Sequence, residues 1–319
     1  MTGSLRAVPK HTGPRVGVAQ ARARIGGAEI AVPASAANLG PGFDTLAVAL
    51  TLYLRIRISG IDDGSVNGLS FTFAGARPDD NHIERAFRAL VAGEGLEFPS
   101  LSLDVESDIP MQAGLGSSAA ATVAGLLLYD RLAGPSEGRD LLGTAARLEG
   151  HADNVAAALL GGLTLSCVRE DGRVLARTAP WPSAIGFVAA TPAVAVPTSS
   201  ARRALPDAYP RADAVFNLQR ALLFMRAVQD GEVELLHEAL KDRWHQPYRA
   251  RLVPGLDEAL ALQHPNLLGV CLSGSGPTVL AFCRGETADV AAELSDIYRR
   301  RDLSVTIRTL AAHQPVTPS

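Results

Sequence analysis

The chain is poor in several things that would steer its interpretation elsewhere. Its 319 residues include three cysteines, Cys167, Cys271 and Cys283. They are odd in number, widely spaced and set in apolar strand-like runs, so they form neither a disulfide framework nor a zinc-ligand spacing. We expect them buried and reduced, in a reducing, cytoplasmic compartment. No apolar run reaches the roughly 18 residues that a membrane helix needs. Excess positive charge is also missing: the formal net charge is −3, which argues against a nucleic-acid surface and for a small-molecule partner. Only Lys10 and Lys241 are lysines, and no Gly-x-x-x-x-Gly-Lys-Ser/Thr run occurs, which excludes a P-loop. No third glycine follows Gly114-Leu115-Gly116 at dinucleotide-binding spacing, which weakens a Rossmann reading. Residues 1–24 contain no acid and no periodicity, and read as a disordered tail rather than a transit peptide.

What is present suits a large mixed fold. Apolar residues make up 47% of the chain, ample for two domains or one large body. Alternating runs predict strands over Leu46 to Ile58, Leu69 to Phe73, Leu101 to Val105, Leu163 to Val168, Arg173 to Arg177, Ile185 to Ala190, Leu268 to Leu272, Thr278 to Cys283 and Ser304 to Leu310. Helices are expected over Asn81 to Ala92, Ala119 to Leu132, Leu141 to Leu148, Ala212 to Gln229, Val233 to Asp242, Gly255 to Gln263 and Ala288 to Arg300. The prolines of Ala179-Pro180-Trp181-Pro182 divide residues 25–180 from 181–319. This pattern is α+β.

The most informative run is Pro110-Met111-Gln112-Ala113-Gly114-Leu115-Gly116-Ser117-Ser118-Ala119-Ala120-Ala121. A glycine loop there opens a long Ala/Leu helix that stops at Gly134-Pro135. Small residues let backbone N–H groups approach a ligand, and the helix N-terminus adds partial positive charge, so the run makes a phosphate cradle. Ser117 and Ser118 add hydroxyls able to donate to phosphate or ligate a hard cation.

This run resembles the second motif of the GHMP kinases, the superfamily of galacto-, homoserine, mevalonate and phosphomevalonate kinases. Pro33-Ala34-Ser35-Ala36-Ala37-Asn38-Leu39-Gly40-Pro41-Gly42-Phe43-Asp44 is similar to their first motif, with Ser35 where homoserine kinases have Thr and Ala36 where they have Ser. Leu272-Ser273-Gly274-Ser275-Gly276-Pro277-Thr278 is similar to the third. Three further runs point to the homoserine kinases within that superfamily. They are Glu149-Gly150-His151-Ala152-Asp153-Asn154, Pro197-Thr198-Ser199-Ser200-Ala201-Arg202-Arg203-Ala204-Leu205-Pro206, and Asp242-Arg243-Trp244-His245-Gln246-Pro247-Tyr248-Arg249.

The resemblance implies a two-domain GHMP kinase fold: a half like the second domain of ribosomal protein S5, then a ferredoxin-like half. It implies an ATP- and Mg²⁺-dependent phosphotransferase acting on the side-chain hydroxyl of L-homoserine, in threonine biosynthesis, and a homodimer. Asn81, Pro110, Gly114, Leu115, Gly116, Ser117, Ser118 and Ala119 would hold ATP, and Ser118 and Glu149 the metal. Asn38, Asp44, His151, Asn154, Thr198, Arg202 and Arg249 would bind the acceptor, with Asn154 and His151 at the reacting hydroxyl. No carboxylate stands out as a base. A kinase for another small alcohol and a catalytically silent metabolite sensor are the alternatives.

Overall fold

A computed structural model describes residues 14–27 and 29–315. In the first half, α1 (Val18–Ile25) precedes β1 (Ile30–Ala37), β2 (Leu46–Val66), β3 (Leu69–Phe73), α2 (His82–Glu94) and β4 (Pro99–Ser107). Helices α3 (Ser117–Ala133), α4 (Leu141–Glu149) and α5 (Asp153–Leu160) follow, then β5 (Leu163–Val168) and β6 (Val174–Ala179). The strands form one sheet of order β3-β4-β2-β5-β6, with β1 paired to β2. The second half holds β7 (Ile185–Pro192), α6 (Thr198–Arg203), α7 (Arg211–Asp230), α8 (Leu236–Ala239), α9 (Gln246–Arg249), α10 (Leu256–Leu260), β8 (Leu267–Leu272), β9 (Val279–Arg284), α11 (Ala288–Arg299) and β10 (Val305–Leu310). Its sheet runs β10-β7-β9-β8 and is antiparallel throughout. This is the ferredoxin-like order, in an α+β molecule.

The site is positioned by elements whose sequence dictates their ends. Helix α3 is Ala- and Leu-rich, so it costs little side-chain entropy, and it stops at Gly134 ahead of a proline. It lies buried against α2, where Ile83, Ala86, Phe87 and Leu90 face inward. Phe87, Phe98 and Tyr129 meet edge-on or tilted with centroids 5.2–5.8 Å apart. Trp181 packs tilted against Phe187 at 5.1 Å and Phe282 at 5.8 Å between centroids. One apolar core therefore runs from the first sheet into the second.

Three expectations need correction, and β1 went unread as a strand. The expected tail covers residues 14–24, yet from Pro14 on the chain is docked. Val16 N–H donates to the Glu97 carbonyl at 2.8 Å, and α1 buries Ala21 and Ile25, an i, i+4 pair too short to show as a period. Residues 1–13 of that tail lie outside the described residues. Strand β1 runs through Pro33, because the ladder shifts register between Pro33 and Ala34, where proline is tolerated. The helix expected over Val233 to Asp242 is a 3₁₀ turn (Val233–Leu235) and a short α8. Asp242 instead accepts the backbone N–H groups of Trp244, His245 and Gln246, which redirects the chain into α9. Cys271 and Cys283 are buried, but Cys167 is exposed, because it lies at the end of β5, where both it and Val168 have run beyond the cover of the core.

Candidate active site

Three sequence-distant turns meet at the glycine loop that opens α3. Gly116 has φ 70° at the N-cap of α3, and a Cβ there would stand 2.1 Å from Ser35 Oγ. Gly114 has φ 76°, and its Cβ would stand 2.4 Å from the Ser273 carbonyl oxygen. Both positions demand glycine for conformation and for space. Ser273 Oγ donates to the Gly114 carbonyl at 2.7 Å, Thr278 N–H to Ala113 at 3.2 Å, and Gly274 N–H to Ala37 at 3.0 Å. The first intrahelical bond of α3 at this end is Ala120 N–H to the Gly116 carbonyl at 2.8 Å. The N–H groups of Ser117, Ser118 and Ala119 precede it, and all three residues line a cleft of about 360 Å³.

That cleft also collects Asn38, Asp44, Gly114, Gly116, Glu149, His151. Asn154, Thr198, Arg202 and Arg249 line it too. A second cavity of about 680 Å³ opens beside it and shares His82, Gln112, Ser117 and Ser118 with it. Leu54, Phe73, Ile109 and Met111 give this second space an apolar wall, and Asn81 lies on its rim. Asn81 is also the N-cap of α2, its Oδ1 accepting Glu84 N–H at 3.3 Å. Pro110 lines neither space, although its neighbours Ile109 and Met111 line the second. Leu115 is fully buried and its carbonyl accepts Ser35 N–H at 3.2 Å, so its side chain serves the core.

Glu149 ends α4 and points at the start of α3. Its carboxylate accepts Ser118 Oγ–H and Thr122 Oγ1–H, each at 2.6 Å, and lies 3.1 Å from His82 Nδ1. Burial alone would raise its pKa; hydrogen bonds from His82, Ser118 and Thr122 outweigh that and bring it to about 2. The Ser118 hydroxyl and the ionised Glu149 carboxylate thus set two hard oxygens together at the start of α3.

The other end of the cleft carries the amino-acid-like groups. Asp44 and Arg202 face each other in a bidentate pair of 2.9 and 3.0 Å. Arg203 turns away to Ser200 and does not line the cleft. Arg249 is 2% exposed, and its guanidinium has no carboxylate within 4.0 Å among the described residues. Burial, then the nearby Arg202, push its pKa down to about 10. Asn38, with φ 72°, donates Nδ2–H to the Gly274 carbonyl at 2.9 Å and accepts Asp44 N–H at 3.1 Å. Thr198 Oγ1 is 3.4 Å from Ser275 Oγ. Asn154 accepts Ser35 Oγ–H at 2.9 Å through Oδ1, which leaves its amino group for the cleft. His151 Nδ1 lies 3.2 Å from Asp153, which holds the His151 pKa above its ordinary value against the opposing effect of burial.

Known proteins resemble this chain along most of its length. Residues 81–162 match the family "GHMP kinases N terminal domain" and residues 224–300 match "GHMP kinases C terminal". A protein named homoserine kinase from Solibacter usitatus is 40% identical over 271 residues, covering 84% of this chain and 89% of its own. One of the same name from Thermus thermophilus is 42% identical, covering 83% and 90%. This chain belongs to the homoserine kinases. The crystal structure of homoserine kinase from Cytophaga hutchinsonii superposes with a TM-score of 0.77 at 26% identity, covering 90% of this chain and 96% of that one. An L. major mevalonate kinase, solved with R-mevalonate, shares the fold alone, with a TM-score of 0.66 at 15% identity over 91% and 97%.

Four cleft or loop residues of this homoserine kinase fold escaped the sequence reading. Thr122 is one turn beyond Ser118, and that i, i+4 pairing of hydroxyls was its available signal. Ser35 supports Asn154 from β1, 119 residues away in the chain. His82 and Arg85 come from a helix whose amphipathic face gave no sign of a ligand.

Proposed function

We propose that the chain transfers the terminal phosphoryl group of ATP to the side-chain hydroxyl of L-homoserine, giving O-phospho-L-homoserine for threonine synthesis. The observation that carries this reading is the buried Arg249 without a carboxylate, at the opposite end of the same cleft from the phosphate loop. A buried guanidinium is costly until an anion meets it. An α-amino acid supplies that anion and brings an ammonium for Asp44. Two arginines and one aspartate match a zwitterion better than a plain hydroxy acid, which favours homoserine over mevalonate or shikimate.

The N–H groups of Ser117, Ser118 and Ala119 and the two serine hydroxyls hold the phosphates in this reading, and the second cavity receives the base. Ser118 Oγ and Glu149 Oε2 are adjacent hard oxygens, one a neutral hydroxyl and the other an ionised carboxylate, so they fit Mg²⁺. Held there, the ion would neutralise charge on the β and γ phosphates. Arg202 and Arg249 fix the acceptor carboxylate, and Asp44 and Asn38 fix its amino end. The Asn154 amino group orients the reacting hydroxyl, and His151, held beside Asp153, assists placement of the acceptor. A loose transition state demands little early proton abstraction, so positioning and electrostatics serve where no base is placed.

The test is ADP release with Mg-ATP against L-homoserine, L-threonine, L-serine, mevalonate and shikimate. We expect turnover with homoserine to dominate; preference for a non-amino acid would reassign the acceptor. Asn154→Ala should lower kcat by about a hundredfold with little change in homoserine KM; full kcat would sink its assigned role. Arg202→Ala should lower kcat/KM by roughly a hundredfold while Arg203→Ala stays within about twofold. Equal effects of the two would mean the wrong arginine has been placed.

A further inference from the structure

We propose that His245 is a positioning residue for the acceptor's carboxylate: the Gly40 carbonyl fixes its Nε2–H tautomer, and the free Nδ1 then holds the Arg249 guanidinium in place. The inference rests on the amino-acid reading of the cleft. His245 is fully buried and does not line that cleft. Its Nε2 lies 2.8 Å from the Gly40 carbonyl oxygen. A carbonyl only accepts, so Nε2 carries the hydrogen and Nδ1 presents a lone pair. Arg249 Nη1 stands 3.2 Å from that Nδ1 and only donates. The pairing is consistent for a neutral ring and inconsistent for a charged one, and burial pushes the His245 pKa down.

The remaining contacts make the arrangement rigid. Arg249 Nη1 also donates to the Gly274 carbonyl at 2.9 Å, and Nε to the Ala201 carbonyl at 3.4 Å. Nη2 is then the guanidinium nitrogen without a protein acceptor among the described residues, the one left for a ligand. Asp242 does not compete for the ring. Its oxygens accept the N–H groups of Trp244, His245 and Gln246 and the Asn217 amide, and Oδ2 stays 3.7 Å from Nε2. His245 is the N-cap of α9 and Arg249 its last residue; Arg249 N–H donates to the His245 carbonyl at 3.0 Å, which ties the two positions together. Phe43 closes the other side, 5.5 Å from the His245 ring and 5.4 Å from the Arg249 guanidinium carbon.

Two substitutions separate the two ring nitrogens. His245→Asn places an acceptor near Nδ1 and deletes the Nε2 donor; His245→Gln reaches Gly40 and deletes the Nδ1 acceptor. Steady-state kinetics should show homoserine KM raised about twentyfold in His245→Gln, with kcat and ATP KM within about twofold, and homoserine KM within about threefold of the parent in His245→Asn. A role confined to packing against Gly40 predicts the reverse order and would overturn the proposal, as would equal KM changes or a parallel rise in ATP KM. If His245→Gln does not fold, His245→Asn decides alone: a rise in homoserine KM above about tenfold overturns the role. A parent that phosphorylates no amino acid overturns the acceptor reading as well; a parent active on homoserine with an indifferent His245 overturns this inference alone.

Discussion

Arg249→Met should cost about a thousandfold in kcat/KM for homoserine while leaving the ligand-free protein at least as heat-stable as the parent. The two effects come from one fact. In the free protein the guanidinium is buried with only carbonyl and imidazole acceptors, and burial holds its pKa down at about 10. Relative to 12.5, that marks the charged form as unfavourable in the fold by on the order of 3 kcal/mol. Methionine fills similar volume without that charge, and replacing a buried ion by an apolar group is often neutral or stabilising. With the acceptor bound, the loss has the opposite sign. A carboxylate deprived of its buried partner forfeits about 2–5 kcal/mol, which appears in KM. Differential scanning calorimetry and steady-state kinetics on the same preparation check both halves. A lowered thermal midpoint with unchanged homoserine KM would show that Arg249 holds the fold and not the acceptor.

Glu149→Gln should lower kcat by roughly a thousandfold, the several kcal/mol that a lost metal carboxylate represents, and should raise the Mg²⁺ concentration needed for half-maximal rate. It should also change the acid stability of the metal-free protein. The Glu149 pKa in the fold is about 2 against 4.5 when unfolded. A depressed carboxylate contributes stability above its unfolded value and loses it as pH falls through the folded value. The contribution is therefore complete above pH 4.5 and disappears towards pH 2, amounting to about 3 kcal/mol. The glutamine variant lacks this component, so between those pH values its stability should fall less steeply. Denaturant titrations of both proteins from pH 6 to about pH 2.5 measure it. Parallel curves, with an unchanged Mg²⁺ requirement, would reduce Glu149 to an ordinary helix-end carboxylate.

Much of the architecture could be read from the chain because its elements are long and locally consistent. Strand β4 alternates cleanly, and α3 begins and ends on glycines that only a loop–helix–loop explains. The phosphate loop was legible for the same reason: its glycines are required locally, and the neighbouring hydroxyls follow in register. The support around it was not. Ser35 contacts Asn154 across 119 residues, and Ser273 contacts Gly114 across 159. No local pattern encodes such meetings. Helix α1 and the 3₁₀ turn before α8 were missed because the first buries two residues and the second none, too few to set a period. The Asp44–Arg202 pairing was hidden as well, since each residue was read as a partner for the acceptor and not for the other.

The turn between β8 and β9 carries a mechanical consequence. It belongs to the second sheet, yet Ser273 and Thr278 grip the phosphate loop, Gly274 N–H grips β1, and the Gly274 carbonyl receives both Asn38 and Arg249. Swinging one half of the molecule away from the other would tear all of these bonds but that of Arg249 at once, and the cleft would lose its shape. The halves are stitched where most two-part enzymes would hinge. In the proposed reading, nucleotide and acceptor therefore pass through the cleft mouth while these bonds keep the two sheets together.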